Sequence, residues 1–179
     1  MKRLFYLAPS IDSVEAISND LHEHGVKDWR IHIVSKDEAG LYTHRLHGAG
    51  MTDKTDFVRY AERGAMAGGI FGICFLIPLA MSGVVALPGP AWVALFLFLM
   101  LIGGWIGGIG GISSRNYKVR RYDAAIDRGE HLVMVDASRK DIETTKQLME
   151  KNHPEARLQS VDSRFNNPFV EDDGKFHMT

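Results

Sequence analysis

Residues 64–114 read GAMAGGIFGICFLIPLAMSGVVALPGPAWVALFLFLMLIGGWIGGIGGISS, and this block holds no Asp, Glu, Lys, Arg or His. It divides at Leu87-Pro88-Gly89-Pro90, a sequence that suits a tight turn and cannot continue a regular helix. The pieces on either side, 64–87 and 91–112, are each long enough to cross a hydrocarbon core about 30 Å thick at about 1.5 Å per residue. The block therefore predicts a transmembrane helical hairpin. The competing reading is a hairpin buried in a soluble protein, but so small a chain has too little other apolar surface to wrap two helices that are apolar all round.

The flanks predict orientation. Lys54, Arg59 and Arg63 precede the block, and Arg115, Lys118, Arg120 and Arg121 follow it, while the turn carries no charge. Positive residues are retained in the cytoplasm, so both flanks and both termini are expected inside. In a bacterium that places the protein in the inner membrane. The same basic residues, Arg115, Lys118, Arg120 and Arg121, are candidates for contact with anionic lipid head groups. Trp92 is expected to anchor at the outer boundary and Trp105 to serve in packing. Pro78 is expected to bend the first helix.

Small residues let helices approach closely in lipid. Gly64, Gly68 and Gly72 lie on one face of the first helix. Gly103, Gly107 and Gly111 lie on one face of the second, beside Gly104 and Gly108. These eight glycines are the candidate helix-packing and oligomerisation residues. The stripes suit packing against each other or against neighbouring subunits, and a homo-oligomer is expected.

Outside the block the chain reads as two similar units. Arg3–Ala8 is an apolar strand. Ser10-Ile11-Asp12-Ser13 carries helix-start chemistry, and Ile11, Val14, Ile17 and Leu21 recur at helical spacing until Gly25. Trp29, Ile31 and Ile33 alternate with Arg30 and His32, which predicts a strand with one wet face. After the block, Arg115–Arg128 reads as a basic helical extension of the second membrane helix, with Val119, Tyr122 and Ile126 as its apolar stripe. Leu132–Val135 is a strand, Ser138 and Asp141 start a helix faced by Ile142, Thr145 and Met149, and Ala156–Val161 is a last strand. Two βαβ halves predict one four-stranded antiparallel sheet with both helices on one face. The expected fold class is α+β: a ferredoxin-like cytoplasmic domain interrupted by a two-helix transmembrane hairpin. The alternative is two βα units that form sheets only between subunits. The expected divisions are 1–52 for the first half and a polar linker, 53–114 for a pre-membrane helix and hairpin, 115–161 for the basic helix and second half, and 162–179 for a polar tail with Phe165, Phe169 and Phe176.

Several short stretches in this order carry a resemblance. They are Leu7–Ser13 (LAPSIDS), Glu62-Arg63-Gly64, Asp123–Glu130 (DAAIDRGE), Leu132–Asp136 (LVMVD) and His153–Ala156 (HPEA). Together they resemble a family of bacterial two-helix membrane proteins of unknown function, over roughly residues 3–161. Members carry loose labels: general-stress, magnesium-transporter-like or NAD/FAD-utilising. The resemblance implies a layout and no catalytic residues.

Little reaction chemistry is legible. Formal charge is −1, so no global field favours nucleic acid. Met1-Lys2-Arg3 is followed by too short an apolar run for a secretory signal, so the N-terminus is expected to belong to the fold. Cys74 stands alone and makes neither an intramolecular disulfide nor a cysteine zinc site. Gly108-Ile109-Gly110-Gly111-Ile112-Ser113 comes near a dinucleotide fingerprint, but it ends in Ser and lies inside the uncharged block. The block has no ionisable residue for a charged relay. The pairs His22/His24 and His44/His47 lack an evident further ligand, and His131 and His153 border regular elements. No catalytic, cofactor-binding or metal-binding residue, no cofactor and no enzyme activity is expected. The expected partners are the bilayer, anionic lipid and further copies of the chain. The expected role is structural or regulatory and possible stress linkage comes from the resemblance. An oligomeric ion channel or magnesium-transport component is the alternative.

Overall fold

A computed structural model describes residues 1–163. In chain order it contains β1 (Lys2–Ala8), α1 (Ile11–Glu23), a 3-10 turn (Asp28–Arg30), β2 (Ile31–Val34), α2 (Glu38–Thr43), α3 (Met51–Lys54), α4 (Phe57–Met81), α5 (Gly89–Ile112), α6 (Tyr117–Arg120), α7 (Asp123–Asp127), β3 (His131–Ala137), α8 (Ile142–Asn152) and β4 (Arg157–Ser163). The described chain forms two units. Met1–Lys54 and the chain from Lys118 to the end of β4 make the first, and Thr55–Tyr117 makes the second.

The first unit is built on a four-stranded sheet in the order β2-β3-β1-β4, with every neighbouring pair antiparallel. The two middle strands of the chain, β2 and β3, are neighbours, and the sheet closes within one chain. Side chains alternate between faces along each strand. Leu4, Tyr6, Ile33, Val133 and Val135 face Val14, Ile17 and Leu21 of α1 and Met149 of α8. The periodicity read from the sequence thus buries both helices on one face. Ser10 caps α1 by accepting from the Ser13 amide at 3.2 Å. Gly25, at φ +81°, lets the chain turn off the helix end.

The opposite face is covered, which corrects the expectation of a wet side to β2. Phe5, Leu7, Leu132 and Met134 pack against Val119, Tyr122, Ala125 and Ile126. Phe5 and Tyr122 stack with ring centroids 5.8 Å apart. Trp29 is not part of β2 but sits half-exposed in the 3-10 turn.

Three further expectations are corrected. Arg115–Arg128 is not a continuation of α5. Helix α5 stops at Ile112, and α6 and α7 are separate short turns that bend so that Val119, Tyr122 and Ile126 all reach the sheet. The polar linker expected before residue 53 is not bare. Asp37 caps α2 through the Gly40 amide at 2.8 Å, and residues 47–49 bond along Ile33 of β2, with Ile33 N donating to His47 O at 3.2 Å and Ala49 N to Ile33 O at 2.7 Å. The expected tail overlaps β4 at Asp162 and Ser163. The rest of it, with Phe165, Phe169 and Phe176, lies outside the described residues.

The second unit is a helical hairpin. The first helix is Phe57–Met81, so it begins within the pre-membrane segment expected from residue 53 and ends before the expected residue 87. Ser82 stops it by donating to Leu79 O at 2.7 Å, and Gly83 turns away at φ +68°. Pro90 lies in the first turn of α5, where its missing amide costs nothing. Pro78 lies inside α4. Both helices are long and apolar enough to cross a membrane. Their outer faces are exposed: Ile70 is 65% accessible, Leu101 72% and Trp105 70%. Trp105 therefore points away from its neighbour helix within the hairpin.

Candidate functional site

A charge cluster lies within the covered face of the sheet. Arg3 of β1 stands opposite Asp136 of β3 in the strand register. Its guanidinium donates twice to the Asp136 carboxylate, Nε to Oδ1 at 2.7 Å and Nη2 to Oδ2 at 2.9 Å. Its Nη1 donates to Asp53 Oδ1 at 2.7 Å. Asp136 is fully buried. Arg30 Nε also donates to the Asp136 carbonyl at 2.6 Å. Burial opposes the charge on Arg3, but the hydrogen bonds to Asp136 and Asp53 outweigh it, and its pKa is raised. His32 of β2 completes the cluster, with Nδ1 3.3 Å from Asp53 Oδ2 and Nε2 3.5 Å from Asp136 Oδ2. Neither ring nitrogen forms a directed hydrogen bond.

This arrangement fixes chain as much as it holds charge. Asp53 belongs to α3, the last element before the chain leaves for the hairpin. Lys118, at the point of return, is also buried and donates from Nζ to the Ser163 carbonyl at 2.6 Å. Burial pushes its pKa down. Both departing and returning segments are thus tied to the sheet by buried charged groups. Bidentate Arg–carboxylate bonds are strong and geometrically specific. No nucleophilic side chain takes part. Sequence reading missed the cluster, although one signal was present: Arg3 and Asp136 are charged residues at the ends of otherwise apolar strands.

The hairpin has its own fastening. Asp56 and Arg59 are buried at the start of α4. Arg59 Nη1 donates to Asp56 Oδ2 at 3.0 Å, and its guanidinium lies 4.9 Å from the Tyr117 ring centroid. Asp56 N donates to Ser114 O at 2.9 Å, and Tyr117 N donates to Asp56 Oδ1 at 3.4 Å. The entry and exit of the hairpin are stapled together.

All eight candidate glycines face the other helix of the same hairpin. A methyl group on Gly64 would collide with the Gly103 carbonyl, one on Gly68 with the Leu99 carbonyl, one on Gly103 with the Gly64 carbonyl, and one on Gly107 with the Tyr60 carbonyl. At Gly111 it would lie 2.8 Å from the Asp56 carbonyl oxygen, and at Gly108 2.7 Å from the Phe57 ring. Gly72 faces Phe96 and Gly104 faces Ala65 less tightly. One side of the seam remains open as an apolar groove of about 450 Å³ bordered by Ala67, Phe71, Ile102 and Ile106.

The basic residues do not act as one set. Lys118 is removed from the lipid-contact candidates by its burial. Arg121 pairs with Asp162 at 2.9 Å, while Arg115 and Arg120 are exposed. Among the histidines, His22 and His47 both approach Asp28, at 3.5 and 3.3 Å. His24 approaches Asp20, and His153 approaches the same carboxylate at 3.1 Å. His131 meets Ser35 Oγ at 2.8 Å, and burial lowers its pKa.

Among known proteins, no family model, no curated protein and no solved structure matches this chain significantly.

Proposed function

We propose that the chain is a multi-pass inner-membrane protein with both termini in the cytoplasm, which self-assembles and serves a structural or regulatory role. The observation that carries this reading is the outward face of the hairpin. Large apolar side chains cover α4 and α5, and the glycines are turned inward. Such a surface is stable against lipid or against another apolar helix, and not against water. The basic flanks supply the orientation.

In this reading the sheet unit is ferredoxin-like. The order β2-β3-β1-β4 and two helices on one face support that description. Self-assembly uses the groove along the open side of the glycine seam, which Gly64, Gly68, Gly103 and Gly107 help to line. Arg115 and Arg120 meet anionic head groups. The stress-related role rests on the resemblance of LAPSIDS and DAAIDRGE to the two-helix family.

Native mass spectrometry of the detergent-purified full chain tests the assembly, with ion flux in proteoliposomes as its companion. A closed oligomer without flux is expected. A monomer would contradict the scaffold, and ion or magnesium flux through an oligomer would replace it with a channel.

A further inference from the structure

Asp12 and Glu15 lie three residues apart on α1, so their side chains share a helix face. His44 arrives there from a different part of the chain, as the residue that ends α2. One donor atom from each of the three lies within 4.8 Å of the others. His44 Nδ1 is 2.5 Å from Glu15 Oε2. We propose that Asp12, Glu15 and His44 bind one divalent transition-metal ion through two carboxylates and one imidazole nitrogen.

The distances suit such an ion. Zinc–nitrogen and zinc–oxygen bonds of about 2.0–2.2 Å place the ligands of a tetrahedral site roughly 3.4 Å apart. Donor atoms already within 4.8 Å converge on that geometry by rotation of side chains that are exposed or half-exposed. The imidazole is held in place by its backbone. Leu41 anchors α2 in the core, His44 N donates to Gly40 O at 3.0 Å, and Leu46 N donates to Leu41 O at 2.8 Å. Arg45 turns the chain in the left-handed region at φ +54° immediately afterwards. The ligand therefore comes from a fixed helix end and not from a free loop.

Ligand chemistry selects the class of ion. Magnesium and calcium take oxygen donors, whereas imidazole suits zinc and other first-row transition ions. Two carboxylates beside one imidazole match Zn²⁺, a borderline divalent ion, or the harder Mn²⁺. In the absence of an ion, the histidine hydrogen bond partly offsets the repulsion between two carboxylates three residues apart on one helix face. A bound ion takes over that role and joins α1 to α2.

Isothermal titration of the full chain in detergent with ZnCl₂ and MnCl₂ tests the assignment. The wild type is expected to bind one ion per chain at this site. Glu15→Gln and His44→Ala are each expected to weaken that binding at least tenfold, as is Asp12→Asn, all with unchanged circular dichroism. His47→Ala, which alters the neighbouring His22–Asp28–His47 group, is expected to leave it unchanged. Absence of binding in the wild type would overturn the proposal, as would wild-type affinity in Glu15→Gln, His44→Ala or Asp12→Asn. Displacement of the ion by a tenfold excess of MgCl₂ would overturn the choice of transition metal.

Discussion

The sheet unit and the hairpin use opposite rules for what is placed inside. In the sheet unit, apolar residues fill both faces, and the buried places left over hold Arg3, Asp136 and Lys118. In the hairpin, the inside is glycine backbone and the outside is Ile, Leu, Phe and Trp. The first rule belongs to a structure stabilised by removing apolar surface from water. The second belongs to helices held by close packing, where the surroundings are as apolar as the side chains. One chain carries both, and the two helices of the second unit are long and apolar enough to cross a membrane.

Substitutions sharpen this contrast, beginning with the hairpin. Gly107→Leu places a branched side chain against the Tyr60 backbone, which cannot move aside within a helix. Separation of α4 from α5 is expected, read as loss of a disulfide cross-link engineered across the two helices. Gly110→Leu meets open space and is expected to leave the cross-link intact. Equal behaviour of the two variants would break the account of the seam.

In the sheet unit the largest effect is expected at Asp136. Asp136→Leu leaves the Arg3 guanidinium buried without its main partner, which costs about 3–5 kcal/mol for a broken buried pair. A matching fall in denaturation midpoint is expected, with partial recovery in the double variant Arg3→Met/Asp136→Leu. A loss below about 1 kcal/mol would show that the cluster is wet and weak.

A smaller, pH-dependent effect is expected from His131. Its folded pKa lies below the ordinary value of about 6.5. Protons therefore bind the unfolded chain first. The stability this group contributes is present above that ordinary value and is lost as pH falls through it towards the folded pKa. Melting temperature measured from pH 8 to pH 5 is expected to fall less steeply in His131→Gln than in the wild type. The smallest effect is expected at Arg121, whose pair with Asp162 is largely exposed. Arg121→Ala should change stability by about 0–1 kcal/mol, within the scatter of a chemical denaturation curve.

The two units also differ in how much of them the sequence discloses. The hairpin is legible because absence of charge over a long block is a strong signal, and the Pro-Gly-Pro turn divides it. Its boundaries are less so: α4 begins at Phe57, just after Asp56, which is held by Ser114 and Tyr117 from the far end of the hairpin, contacts between residues distant in sequence. The strands and the faces of α1 and α8 follow from periodicity. The break between α5 and α6 does not, because Val119, Tyr122 and Ile126 keep helical spacing although the backbone bends between them. The charge cluster was hidden for another reason. Arg3 and Asp136 lie 133 residues apart, and Asp53 and Lys118 resemble ordinary flanking charges until the sheet brings them together.

Topology mapping tests the central claim most directly. With Cys74 replaced by Ala, three single cysteines are introduced separately: Val84→Cys in the turn, Lys27→Cys before the hairpin and Lys140→Cys after it. Intact cells are treated with a membrane-impermeant maleimide. The account predicts labelling of Val84→Cys alone, with Lys27→Cys and Lys140→Cys labelled only after the membrane is opened. Labelling of either flank in sealed cells, or protection of the turn, would contradict a hairpin that enters and leaves from the cytoplasmic side.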